Sequence, residues 1–165
     1  MDLLINSLPL LARGTVTTLY LSAAAIVLAT GLGVVFALLQ IFGGFVLRAL
    51  VEVYLYIVRG VPLLVLLFAM YYALPYANVQ IEPVTGGILV IGLYFGAFMT
   101  EVFRGAVLSV PKGQWEAART IGLTTPRILV DVVFVQAVRV AGPPFINTCI
   151  MVVKIAQDCL SIARL

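Results

Sequence analysis

From Gly14 to Leu47 the chain carries no Asp, Glu, Lys or Arg. About 20 apolar residues in a helix already cross a bilayer core, so this run is long enough for one complete membrane span with its turn. Small residues recur along it at Ser22, Ala25, Ala29, Gly33 and Ala37, nearly all at helical spacings of three or four. That spacing lets another helix approach closely in lipid. Composition extends the inference to the whole chain. Charged residues make up 10% and hydrophobic residues 63%, with a mean hydropathy of +1.17, whereas a soluble domain has about 25% charged residues. The fold class expected is an all-α membrane protein, one transmembrane domain over residues 1–165 with room for four or five helices.

The expected spans are residues 17–40, 48–72, 84–107 and a fourth that starts after Pro126. Residues 1–13 form a short interfacial leader, and Phe42-Gly43-Gly44 is the first turn. The N-terminus has Asp2, no basic leader region, and an apolar run too long for the core of a signal peptide. Gly60 and Pro62 predict a kink in the second span. Gly142-Pro143-Pro144 predicts a break or bend in the fourth, with Asn147 one turn on to satisfy freed backbone groups. Beyond Lys154 the charges are scattered and no fifth span is expected. Cys149 and Cys159 have no paired spacing and read as structural.

The most polar segment runs from Ser109 to Arg127. Four of the ten cations lie between Arg104 and Arg127, which marks a cytoplasmic loop under the positive-inside rule. The loop at residues 75–83 has only Glu82 as a charge and falls outside. The same rule explains the net charge of +3 without nucleic acid, because the cations stand at span ends and in this loop. Gln114 to Thr120 are good helix formers, Gly122 follows where a helix usually stops, and Thr124 or Thr125 with Pro126 opens the next helix. A two-turn helix this short is unstable alone in water, so it docks onto something.

Ionisable residues inside spans are expensive and face a bundle interior or a cavity. Glu52 and Arg59 are seven apart and share a helix face. Glu101 and Arg104, three apart, suit a local ion pair. Either packing or a substrate path accounts for Glu52, Arg59 and Glu101; Arg104 reads as structural. With no His, no nucleophile elbow and no P-loop pattern, the chain is not expected to be an enzyme, and neither a metal nor a cofactor is expected. A transporter subunit, a channel and an anchoring subunit remain, and the capped cytoplasmic helix favours the first.

Glu116-Ala117-Ala118 with Gly122 resembles the EAA loop of permease subunits in bacterial ATP-binding cassette importers. The stretch from Glu101 to Leu123 is similar to the polar amino acid branch of that family almost position for position. So are Arg59-Gly-Val-Pro-Leu-Leu and Gln136-Ala-Val-Arg-Val-Ala-Gly-Pro-Pro-Phe-Ile-Asn. The resemblance covers roughly residues 10 to 154.

It implies a transmembrane permease of an amino acid importer in the bacterial inner membrane. Trp115, Glu116, Ala117, Ala118 and Gly122 would then couple to a separate ATP-binding subunit that hydrolyses the nucleotide. Ala117 and Ala118 would allow close approach to a groove, Glu116 would orient polar groups at the joint, and Gly122 would turn the chain back. A second permease subunit, identical or related, and an extracytoplasmic substrate-binding protein complete the implied assembly. Glu52, Arg59 and Glu101 are the candidate substrate path.

The sequence departs from the family pattern at Phe134-Val135, where Leu-Pro is usual, and after Lys154. Members usually continue through a further C-terminal span. A chain truncated at its C-terminus is therefore expected, and the alternative function is a transport-incompetent remnant that only docks partners.

Overall fold

The computed structural model describes residues 2–76 and 78–162, with side chains described for 12–76 and 78–159. All regular structure among them is helical. Helix α1 runs Asp2–Phe42, α2 Phe45–Gly60, α3 Leu63–Tyr76, α4 Pro83–Leu108 and α5 Lys112–Thr120. The last helix, α6, covers residues 125–162 and contains a π-helical stretch at Ile128–Phe134. Ala12–Phe42, Pro83–Leu108 and Thr125–Cys159 are each long and apolar enough to cross a membrane, and α2 with α3 makes a fourth crossing if the bent pair is one span. The expected four spans therefore stand, with three differences of detail.

The expected interfacial leader is absent as a separate element, because α1 is continuous from Asp2. No helix breaker other than Pro9 lies in that stretch, and nothing in the sequence ends one helix there and starts another. The second difference is larger. The kink expected at Gly60 and Pro62 is a complete break, with α2 and α3 at 94°. A proline crowds the residue before it out of the helical region, and Val61 is extended at φ −102° and ψ 130°. Pro62 is itself extended in ψ at 134°, so two successive residues leave the helix.

The third difference goes the other way. Pro143 and Pro144 lie inside α6, which continues through them unbroken. Gly142 has no Cβ to collide with the following ring, which removes part of the usual pre-proline penalty. The proline φ near −65° is itself helical. Asn147 makes no hydrogen bond to the freed carbonyls; the local side-chain bond is from Thr148 Oγ1 to the Pro144 carbonyl, at 2.8 Å. The charged tail after Lys154 is the continuation of α6, and Val152, Ala156 and Cys159 are its buried stripe.

The core joins α1, α3, α4 and α6 through Leu21, Ala25, Ala29, Leu67, Phe95 and Met99 together with that stripe. The small-residue stripe of α1 is the contact face, with Ser22, Ala25, Ala29 and Ala37 all buried. A Cβ added at Gly33 would lie 2.5 Å from Met99 Cβ and 3.0 Å from the Met99 backbone carbon. At Gly92 it would lie 2.5 Å from Leu28 Cδ2. These are the close approaches that small residues permit in lipid. Tyr54 adds a bond from its hydroxyl to the Leu93 carbonyl, which ties α2 to α4.

Because the obstacle at Gly33 is partly backbone, a side chain there cannot be accommodated by a rotamer change. Gly33→Val is expected to destabilise the chain by about 1–3 kcal/mol, the usual cost of overpacking. Gly31→Val, where an added Cβ meets nothing within 4 Å, is expected to be near neutral. Thermal unfolding of both variants in the same detergent measures the difference.

Candidate functional site

Two features share one end of the molecule: the short helix α5 and an open polar cavity. Leu108, the last residue of α4, lines the cavity, and α5 begins four residues later.

Helix α5 is fixed at both ends. Pro111 precedes it with an extended ψ of 138°, and Gln114 N–H bonds to the Pro111 carbonyl at 2.9 Å. At its other end Gly122 has φ +81°, a conformation that costs a residue with a Cβ. Gly122 N–H bonds to the Arg119 carbonyl at 2.9 Å, and Leu123 N–H to the Ala118 carbonyl at 3.1 Å. This pair of bonds is a Schellman motif, and the packing of Leu123 with Ala118 is its usual apolar companion. The glycine stop expected from the sequence is thus a defined cap. Beyond it, Thr124 is the N-cap of α6, extended at ψ 152°, with Pro126 in the first turn.

The inner face of α5 is held by its own chain. Ala118 is 4% exposed and packs with Val110, Ile128 and Val133, and Trp115, Val107 and Val132 close over them. Glu116 and Ala117 are exposed, and Ile121 is 76% exposed. The two alanines of the expected coupling segment therefore face different ways. Ala117 is open to a partner, whereas Ala118 seats the helix on α4 and α6 and is not available for close approach from outside.

The cavity has a volume of about 800 Å³ and lies along one face of α2, between it and the ends of α1 and α4. Glu52, Arg59 and Glu101 all line it, so the three candidate path residues come together. Glu101 bonds to Arg104 at 3.0 Å and to Arg59 at 3.9 Å. The Arg59 guanidinium also stands 5.5 Å from the centre of the Phe98 ring, a distance at which the ring face attracts a cation. The local pair expected between Glu101 and Arg104 is thus extended into a triad that reaches across to α2. Arg59 is the penultimate residue of α2, three positions before Pro62. The triad therefore clamps α2 to α4 just before the 94° break.

Two lining residues escaped the sequence reading. Gln40 lies in the last turn of α1, and Arg48 stands in the first turn of α2. The signal was present, since Arg48, Glu52 and Arg59 recur at intervals of four and seven and so share one face of α2. What the pattern could not say was that this face borders empty space.

Residues 29–156 match a family described as binding-protein-dependent transport system inner membrane component. Among curated relatives, the chain is 38% identical to the L-cystine transport system permease protein TcyB of Bacillus subtilis. That match covers 88% of this chain and 62% of the relative. It is 32% identical to the glutamine transport system permease protein GlnP of Escherichia coli, over 90% of this chain and 68% of that one. The chain thus spans about two thirds of the length of the relatives it matches. A crystal structure of an amino acid ABC transporter with histidines superposes with a TM-score of 0.86 at 27% identity. It covers 96% of this chain and 74% of the other. The MetNI methionine ABC transporter in inward-facing form shares the fold, with a TM-score of 0.70 at 21% identity. The match over most of the chain, joined to the apolar helices and the exposed short helix α5, places it plainly: the chain belongs to the binding-protein-dependent transport system inner membrane component family and is a multi-pass protein of the bacterial inner membrane.

Proposed function

We propose that this chain is a permease subunit of an ATP-driven amino acid importer, with one transmembrane domain that lines the path and receives motion from an ATP-binding subunit. The observation that carries the reading is the two-faced helix α5. Its inner face is fastened to α4 and α6, while Glu116, Ala117 and Ile121 are left exposed. A rigid helix presented in this way suits a groove on a partner. The relatives named for cystine and glutamine transport supply the substrate class.

In this reading ATP is hydrolysed on the partner. Closure of two such partners draws two permease subunits, identical or related, through alternating access. An extracytoplasmic binding protein delivers substrate to the opposite side. The cap at Gly122 matters because slack at the joint would dissipate the push. The packing of Ala118, Val107 and Val110 passes it to the inner end of α4, which leads directly to Glu101 and Arg104.

Glu116→Lys and Gly122→Pro are each expected to abolish co-purification with the ATP-binding subunit; Gly122→Pro does so because proline cannot adopt φ +81°. The two alanines separate docking from folding. Ala117→Leu is expected to leave thermal unfolding unchanged and to weaken the partner. Ala118→Leu, which overfills a buried site, is expected to lower the chain's own stability by about 1–3 kcal/mol. Equal effects of the two substitutions on stability would refute the assigned faces.

Uptake of labelled amino acid by cells in which this chain is the only permease tests the function itself. Uptake that stops with Glu116→Lys supports the importer. Partner binding without any uptake supports a subunit that only docks.

A further inference from the structure

The cavity contains five charged side chains, and they fall into two groups. Glu101 is compensated twice, by Arg104 at 3.0 Å and Arg59 at 3.9 Å. That triad carries one surplus positive charge, and Arg59 is further held over Phe98. Arg48 and Glu52 differ. They stand one helical turn apart on α2 and both line the cavity, yet neither forms an ion pair among the described residues. A single stiff helix therefore presents one cation and one anion, uncommitted, to the same space.

A small zwitterion meets that pattern. Taking its two charges out of bulk water requires a partner for each, and charge-assisted hydrogen bonds to both ends are the strong kind. A simple anion would find Arg48 but would also face the Glu52 carboxylate. We propose that Arg48 binds the α-carboxylate and Glu52 the α-ammonium of an amino acid at the mouth of this cavity, and that the surplus charge of the Arg59–Glu101–Arg104 triad rejects substrates with a cationic side chain. This rests on the importer reading above and adds to it the binding residues and the substrate class: amino acids with neutral or acidic side chains. Phosphatidylethanolamine carries the same two charges, so the test separates free amino acid from lipid headgroup.

The chain is purified with its ATP-binding subunit and without a substrate-binding protein, so that selection by the latter is removed. Equilibrium binding of labelled glutamine, glutamate and arginine is then measured in nanodiscs of phosphatidylcholine, with and without phosphatidylethanolamine. Glutamine and glutamate are expected to bind, and arginine about tenfold more weakly, the order of cost of a like charge a few Å from the surplus charge of the triad near a protein surface. Arg48→Gln and Glu52→Gln are each expected to raise the Kd for glutamine about tenfold or more, the loss of one bond to a charged group. Glu52→Asp is expected to retain most of the binding.

Unchanged binding in both neutral variants, with the ATP-binding subunit still attached, overturns the inference. So does arginine binding as tightly as glutamine, or loss of glutamine binding when phosphatidylethanolamine is added. Uptake by the unaltered chain with no effect of either variant defeats only this proposal. Absence of uptake for every amino acid defeats the importer reading as well.

Discussion

Helices α1 and α4 touch where side chains are missing, and the remaining elements are arranged around that contact. Gly33 lies against Met99, Gly92 against the side chain of Leu28, and Gly96 against Leu32. Lipid offers no hydrophobic force to bring helices together, so close van der Waals packing has to hold them. Glycine and alanine achieve it by letting the two backbones draw near. Helix α6 joins the pair through Val152, Ala156 and Cys159, and α3 adds Leu63 and Leu67. The end of α4 that carries Glu101 and Arg104 borders the cavity, and its position is set by what α1 holds.

A continuous physical route leads from the exposed helix to the cavity. The inner face of α5 rests on Val107 and Val110. One turn earlier on α4, Arg104 bonds Glu101, and Glu101 reaches Arg59 at the end of α2. Immediately after Arg59 the chain breaks at Val61 and Pro62. Each link is a packed or ion-paired contact, and the route ends two residues before the corner at Val61 and Pro62. The Arg59–Glu101 contact is half-exposed and, at 3.9 Å, longer than the Arg104 bond.

Much of this was legible before any coordinates. The charge-free run required a span, the small-residue spacing required a close contact, and Gly122 marked the end of a helix. The glycine could be read because φ +81° is a local demand that few other residues meet. Local signals misled where the competing terms were close in size. Two prolines at 143 and 144 argued for a break or bend and the helix is continuous through them, whereas a single proline at 62 produced a full corner. Neighbours account for part of the difference: Gly142 relieves the crowding before Pro143, though not that of Pro143 before Pro144, whereas Val61 has a branched side chain that cannot.

The sequence by itself determined that the chain lives in a bilayer, where its apolar helices run, and where a short polar helix interrupts them. Those properties follow from hydropathy, charge and turn chemistry, which act over a few neighbouring residues. Only the tertiary structure decided that Ala117 faces out and Ala118 faces in, that Glu101 is shared between two arginines, and that Arg48 and Glu52 border the same cavity. Each of these depends on which distant segment lies opposite, and a period of 3.6 residues names a face without naming what it meets.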